Sequence, residues 1–482
     1  MPLVVSLSNH ALRQTQGDRK RRSRLAVFRA LSLWLAVRLP CRKRLPCQRL
    51  PCSKSCPLIA GYPAQNARFF YTPAMKIYLV GGAVRDELLG LPVRERDWVV
   101  VGAMPDELIA KGFTPVGKDF PVFLHPETKE EYALARTERK TGPGYRGFDT
   151  RFSPDVTLEQ DLERRDLTIN AIAKDIETGE LIDPFGGQRD IQERWLRHVS
   201  PAFVEDPVRV LRAARFAARF APLGFRVAPE TIELMRDIAT SGELDALVPE
   251  RVWQETQRAL ELPAPQTFFE VLRETHALKA IFPEVDALFG IPQPEQWHPE
   301  IDSGVHTLMV IEQAARLSND PVVRFAALTH DLGKAVTPTE ELPRHVMHEI
   351  RGVAIIDKLC DRLRVPTAYR EVARLVSRYH LNVHRAHELR ESTMLEMLEK
   401  LDAFRRPDRF EQFLLACEAD ARGRKGLEDR EYLQTDYLRD ARKVTAKVSL
   451  DASMREGLDG QQIASRLRQL RIDALRALHS EN

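Results

Sequence analysis

The stretch Leu79-Val80-Gly81-Gly82-Ala83-Val84-Arg85-Asp86, followed by Arg94-Glu95-Arg96-Asp97-Trp98-Val99-Val100, decides the reading of this chain. An apolar strand that meets two glycines and then a helix places backbone N–H groups where a phosphate can approach closely. Arg85, one turn into that helix, adds a charged fork. Residues two apart on a strand share a face, so Glu95 and Asp97 project together at the mouth of the sheet. Two carboxylates with triphosphate oxygens suit Mg²⁺, and paired ions of this kind assist in-line displacement at phosphorus. Taken alone, the same residues also fit a charged strand start before a buried Trp-Val-Val-Val run.

Working outward, strands are expected at 76–80, 97–101, 121–124, 131–136 and 180–182, where short apolar and β-branched runs recur. After about residue 205 strands disappear, and apolar residues return at three- and four-residue intervals, as in Val208, Leu211, Phe216 and Phe220. The fold class is α+β, with a mixed head followed by a long all-α body. The boundaries expected are 75–196 for the head and 197–300 for a helical neck and body. A further helical region at 301–440 and a helical tail at 441–482 follow.

Charge is unevenly spread. Residues 1–74 carry fourteen Lys/Arg and the single acid Asp18, a net of +13. The other 408 residues hold 58 basic and 68 acidic side chains, a net of −10, so purely basic clusters within them are informative. Four of six cysteines (Cys41, Cys47, Cys52, Cys56) lie in the basic front segment, at a spacing that matches no familiar zinc knuckle. Only Cys360 and Cys417 belong to the body, which points to a reducing, cytoplasmic setting without a disulfide framework. The apolar run Leu25–Leu39 is broken by Arg29 and Arg38 and is too short to span a bilayer, so no membrane role is expected. An Arg-rich, acid-poor leader fits a transit peptide. The preferred reading takes Met75 as the natural start and 1–74 as a disordered or wrongly included extension.

Three further segments carry chemistry. They are Glu163-Arg164-Arg165-Asp166-Leu167-Thr168-Ile169-Asn170-Ala171, Leu181-Ile182-Asp183-Pro184-Phe185-Gly186-Gly187, and Glu205-Asp206-Pro207-Val208-Arg209-Val210-Leu211-Arg212-Ala213-Ala214-Arg215. The last starts a helix with acids at its N-terminus and Pro207 in its first turn. Arg209, Arg212 and Arg215 then recur every three residues, a basic row that favours phosphate or RNA contact over a merely solvated face.

In this order the five motifs resemble the class II tRNA nucleotidyltransferases, and their spacing resembles the bacterial CCA-adding enzymes across 75–482. The resemblance implies a polymerase-β-like head at 75–196, a nucleotide-recognition neck and RNA-binding body at 197–300, and a tRNA acceptor end, CTP and ATP as substrates. It makes Gly82, Arg85, Arg165, Arg212 and Arg215 nucleotide contacts, and Glu95 and Asp97 Mg²⁺ ligands. Asp206 and Arg209 match the pair that reads the base edge, presenting donors and acceptors to C or A. Glu131, in Glu131-Tyr132-Ala133-Leu134, is a candidate third catalytic carboxylate. The family usually shows Asp-x-Asp; here the first acid is Glu95, and the extra methylene bears on metal position and preference.

A second constellation lies in helical sequence: His306, then His330-Asp331 in Ala327-Leu328-Thr329-His330-Asp331-Leu332-Gly333-Lys334, then His345 and His348, with Asp420 downstream. Imidazole plus carboxylate suits a transition ion better than Mg²⁺. The set His306, His330, Asp331 and Asp420 resembles the HD-superfamily phosphohydrolases. That resemblance implies Ni²⁺ or another transition metal, with phosphatase, 2′-nucleotidase and 2′,3′-cyclic phosphodiesterase activity. No role is assigned to His380 and His384. Two rival readings are a poly(A) polymerase, disfavoured by the HD segment and the mixed-charge tail, and an HD hydrolase or regulator with an inactive head. A pure RNA-binding module would not need the paired acids. The expected assembly is a monomer or homodimer.

Overall fold

The computed structural model describes residues 75–116, 122–140 and 148–481, with side chains left aside at 138–140, 148, 149 and 481. The readings of residues 1–74 and of position 121 lie outside these.

The head is built on a seven-stranded mixed sheet in the order β3-β4-β5-β2-β1-β8-β9. Its strands are β1 (Lys76–Val80), β2 (Asp97–Val101), β3 (Thr114–Pro115), β4 (Val122–Leu124), β5 (Glu131–Leu134), β8 (Ala173–Asp175) and β9 (Leu181–Ile182). Between β5 and β8 the chain forms a separate hairpin of β6 (Arg136–Lys140) and β7 (Phe148–Phe152). β2 pairs antiparallel with β1 and parallel with β5. The Trp-Val-Val-Val run is uninterrupted because both faces of the sheet are covered. Val99 packs with Tyr78, Val80 and Leu162 on one side, while Val100 packs with Leu108, Phe123 and Leu134 on the other.

Two expectations need correcting. Glu95 lies in the loop before β2, which begins at Asp97, so the two acids do not share a strand. Strands also do not stop at residue 205: Arg226–Val227 pairs in parallel with Trp195–Leu196, clipping the head to the start of the body.

The body is helical and shares one apolar core that runs from Val84 in the head to Leu475 near the end of the chain. Many of its helices open on proline, as at Pro229, Pro249, Pro265, Pro321 and Pro407, where a missing N–H costs nothing. Arg324 is fully buried. It donates to the carbonyls of Leu260 (2.6 Å) and Leu262 (2.8 Å), tying the helix Pro321–Thr329 to the C-terminal end of Pro249–Leu260.

In the second constellation, three segments come close enough that only glycine fits between them. A Cβ on Gly333 would lie 2.0 Å from the carbonyl oxygen of His348, and one on Gly352 would lie 2.4 Å from Ser377 Oγ. The turn Leu332–Val336 therefore meets the helix His348–Leu363 backbone to backbone, and that helix at Gly352 lies against the Ser377 hydroxyl of the helix Thr367–His384.

Candidate active sites

A cleft of about 1250 Å³ opens where the head meets the helix Val208–Phe220. Gly82, Arg85, Glu95, Asp97, Arg165, Asp206, Arg209, Arg212 and Arg215 all line it. Glu131 lies outside this lining. It is nevertheless the register partner of Asp97 across the parallel β2–β5 pair, so the two carboxylates leave the same face. Gly81 turns the chain at φ +69, and a Cβ there would meet Arg165 Nη1 at 2.9 Å. The glycine turn is thus needed both for its dihedral and for the guanidinium beside it.

Nearly every arginine in the cleft is held by a fixed partner. Arg85 is buried, pairs with Asp86 (2.8 Å), hydrogen-bonds Asn170 and lies against the rings of Phe216 and Phe220. Arg165 pairs with the buried Asp161 (3.2 Å). Arg212 donates to Asp166 (2.8 Å), and Arg215 to Glu255. Arg209 donates to the carbonyl oxygens of Ala202 and Arg164. Burial alone would raise Asp166, but Arg212, Asn170 and Arg209 together hold it well below the usual carboxylate range. At Asp97 the balance differs: the side chain is solvent-accessible, but partial desolvation by the cleft walls and the neighbouring Glu95 raise the carboxyl, against the pull of Arg165.

Sequence reasoning missed several partners. Asp206 pairs with Arg251 (3.0 Å), a residue it did not single out, and accepts from the backbone of Val208. Asp166 and Asn170 lay inside a quoted motif, where their four-residue spacing across a turn could have suggested the hydrogen bond they make (2.9 Å).

The second constellation gathers at the meeting of five helical elements. His306 Nε2 is 3.1 Å from Asp420 Oδ1, and His330 Nε2 is 3.1 Å from Asp331 Oδ2 and 3.7 Å from Asp420 Oδ1. All four predicted residues are buried. Three more histidines join them. His348 Nε2 and His380 Nε2 lie 3.2 and 3.6 Å from Asp331 Oδ1, and His384 Nε2 lies 2.7 Å from Asp420 Oδ2. His345 is directed away, contacting Thr337 and the Pro292 carbonyl. The i, i+4 spacing of His380 and His384 on one helix face was the available signal for two of the missed residues.

The other ring nitrogens have fixed partners as well. The Nδ1 atoms of His306, His330, His348 and His380 each face a backbone carbonyl, of Gly423, Ala327, His345 and Ser377 respectively. Such a contact places the proton on Nδ1 and leaves Nε2 as a lone pair, the form that binds metal. Burial pushes His380 down to about 3, so it is a neutral imidazole. Glu300 holds His306 Nδ1 from behind (3.0 Å), and Tyr432 OH meets His384 Nδ1 (2.7 Å). The donor set of imidazole Nε2 and carboxylate oxygen fits a transition ion, whereas the all-oxygen set of Glu95, Asp97 and Glu131 fits Mg²⁺.

The glycine turn, register-matched acids and arginine-lined cleft define a nucleotidyltransferase head, joined here to an HD-type histidine–aspartate centre. Family models agree: residues 77–197 match the poly A polymerase head domain, 224–289 the probable RNA and SrmB-binding site of polymerase A, and 304–411 the HD domain. A multifunctional CCA protein of Thioalkalivibrio sulfidiphilus (strain HL-EbGR7) is 64% identical over 407 residues, covering 84% of this chain and 99% of that protein. The protein of the same name from Nitrosococcus oceani (strain ATCC 19707) is 62% identical, covering 84% and 100%. Among solved structures, a CCA-adding enzyme in apo form II matches with a TM-score of 0.59 at 20% identity, covering 83% of this chain and 88% of the other. A CCA-adding enzyme solved with ATP matches at 0.57 and 22%, covering 83% and 87%. The chain belongs to the multifunctional CCA protein family, whose members join a CCA-adding nucleotidyltransferase to an HD domain.

Proposed function

We propose that this chain rebuilds the 3′-terminal CCA of tRNA from CTP and ATP in the head cleft, and hydrolyses phosphoesters at the HD centre. The observation that carries the first part is the convergence of the glycine turn, Asp97 and the anchored arginines on one cleft. Relatives named multifunctional CCA protein are 62–64% identical over nearly their whole length, which favours this reading over poly(A) synthesis.

In this reading Gly82 N–H and Arg85 hold the triphosphate, with Arg165, Arg212 and Arg215 adding charge along it. Each guanidinium is already fixed by an acid or carbonyl, so little ordering remains when the nucleotide enters. Asp206 and Arg209 face the base, and Arg251 holds Asp206 in place. Glu95, Asp97 and Glu131 would hold Mg²⁺, which would supply charge neutralisation at the reacting phosphate. The tRNA 3′-hydroxyl attacks the α-phosphate, pyrophosphate leaves, and three rounds give CCA. The helical body is the surface for the acceptor stem, read by shape through phosphates and 2′-hydroxyls.

At the HD centre the residues that would hold a transition ion, Ni²⁺ among the candidates, are His306, His330, Asp331 and Asp420. We assign it the phosphatase, 2′-nucleotidase and 2′,3′-cyclic phosphodiesterase activities. Addition of water with cleavage of the P–O3′ bond of a 2′,3′-cyclic phosphate would free the 3′-hydroxyl that the head extends and leave a 2′-phosphate for removal as inorganic phosphate. Among the described residues no helix is long and apolar enough to cross a membrane, and Cys360 and Cys417 are free and buried. We take the site of action to be the cytoplasm.

The test is incorporation of labelled CTP and ATP into tRNA ending before CCA, with Mg²⁺. Two cytidines followed by one adenosine are expected, and their loss in Asp97→Ala ties them to the head. Adenylate tracts would support the poly(A) reading instead. Hydrolysis without incorporation would leave the HD centre as the working half.

A further inference from the structure

Arg219 stands in the wall of the head cleft, yet the nucleotide reading gives it no task. It closes a continuous chain of charged hydrogen bonds. Arg219 Nη2 donates to Asp86 Oδ2 (2.8 Å), while Asp86 Oδ1 accepts from Arg85 Nε (2.9 Å) and pairs with its Nη2 (2.8 Å). Arg85 Nη1 donates to Asn170 Oδ1, and Asn170 Nδ2 donates to Asp166 Oδ1 (2.9 Å). Asp166 Oδ2 in turn accepts from Arg212 Nε (2.8 Å). The four residues between the two ends are buried, whereas the Arg219 and Arg212 side chains are 33% and 36% accessible.

Both ends of this chain lie on one body helix, Val208–Phe220, and its middle belongs to the head. Asp86 and Arg85 ride on the helix Gly82–Leu88, and Asp166 and Asn170 on the segment 166–170. Seven residues make two helical turns, so Arg212 and Arg219 share a face and stand about 10 Å apart along the axis. The body thus grips the head at two points, with Arg85 between them. The buried Phe220 ring supports the grip, with the Arg85 guanidinium 5.0 Å and that of Arg219 5.1 Å from its centre.

Three guanidiniums share two carboxylates here, so the chain keeps a positive charge for an anion. Because Asp86 divides its oxygens, Arg219 governs how Arg85 is aimed. Without Arg219 the buried Oδ2 loses its donor, and the carboxylate gains by turning to take the Arg85 fork with both oxygens. That turn draws the guanidinium out of line with the cleft, and a misplacement of about 1 Å is enough to slow a reaction that depends on alignment.

We propose that Arg219 is a positioning residue for nucleotidyl transfer, acting through Asp86 to aim Arg85, while the chain to Arg212 makes head and body present their nucleotide contacts as one unit. The proposal rests on the head cleft as the transfer site, and the experiment separates the two. The full chain and its variants are assayed for CTP binding, for steady-state addition of CTP and ATP to tRNA ending before CCA and in CC, and for thermal unfolding. Arg219→Ala should raise KM for CTP and for ATP about tenfold each, with KM for tRNA unchanged. Arg219→Lys keeps a charge and a donor and should recover most of the loss. Adding Arg219→Ala to Asp86→Asn should cost nothing beyond Asp86→Asn alone.

A rise in KM for tRNA instead would make Arg219 an RNA contact and overturn the proposal. Additive losses in the double variant would do the same, since they show a route that bypasses Asp86. Unchanged kinetics with lowered thermal stability would reduce Arg219 to a structural ion pair and overturn it too. In each of these cases the transfer reading stands. A parent chain that neither binds nor incorporates CTP overturns both. Should Asp86→Asn fail to fold, the KM pattern of the two Arg219 variants still decides.

Discussion

In the head cleft the candidate metal-binding carboxylates stand at the surface and the arginines behind them are pinned; in the HD centre carboxylates and imidazoles alike are buried. Glu95, Asp97 and Glu131 are exposed, while Asp331 and Asp420 are each only 2% accessible. The difference follows from what each site must meet. A triphosphate brings negative charge and its own oxygen ligands, so the protein supplies fixed cations and an incomplete cage for a hard ion. A transition ion bound by protein alone needs its donors converged and dry beforehand. The first arrangement suits a metal that arrives with substrate, the second a resident one.

The largest effect should come from the exposed rim. Asp97→Ala should lower CTP incorporation by about 1,000-fold, since it removes metal-borne stabilisation worth several kcal/mol, while hydrolysis of p-nitrophenyl phosphate continues. Loss of both activities together would break the claim that the two centres are independent. The reciprocal change, Asp420→Asn, should lower that hydrolysis by at least about 100-fold, more than loss of a supporting hydrogen bond would, with CCA addition retained.

Pinning of the arginines can be tested through stability. Asp166→Asn leaves Arg212 without its acid and should cost about 2–3 kcal/mol in denaturant unfolding, at the low end for a broken buried pair because Arg212 is itself 36% accessible. Asp166 is held below its unfolded pKa. Its contribution is therefore present above the ordinary carboxylate value of about 3.9 and fades only as pH falls well below it. A variant as stable as the parent at pH 7 would show that the arginine row needs no anchor.

Smaller effects sharpen the contrast. Tyr432→Phe removes the hydroxyl behind His384 and should weaken metal retention or hydrolysis at the HD centre about tenfold. No change in either would place Tyr432 outside the site. The least shift is expected from Arg165→Ala. Arg165 lowers Asp97 against partial desolvation in the cleft and Glu95, so its removal should move the acid limb of CTP incorporation to higher pH, by less than about one unit. A limb that stays in place, with only KM altered, would mean that Arg165 acts on the nucleotide alone.

Much of this could be read from the chain because short-range rules carried it. β1 and β2 begin and end where alternation and the Trp-Val-Val-Val run place them, and the arginine row of Val208–Phe220 faces the cleft as its period requires. What escaped was decided over long separations. β8 is three residues of ordinary composition, made a strand by pairing with β1. Arg251 reaches Asp206 across 45 residues, and His348 meets His380 from separate helices; neither has a local period to announce it. Glu95 failed differently: its two-residue spacing from Asp97 imitated a strand that pairing with β1 does not extend to.

The close approach among Gly333, Gly352 and the Ser377 side chain has a consequence for variants of this chain. Those three segments carry Asp331, His348 and His380, and they can approach only while no methyl group stands between them. Gly333→Ala would leave every donor atom chemically intact yet, with its Cβ only 2.0 Å from the His348 carbonyl oxygen, force the turn and the helix His348–Leu363 apart. Such a change looks conservative and touches no ionisable group, but would act as a remote lesion in hydrolysis. In this half of the molecule, the smallest side chains set the dimensions of the chemistry.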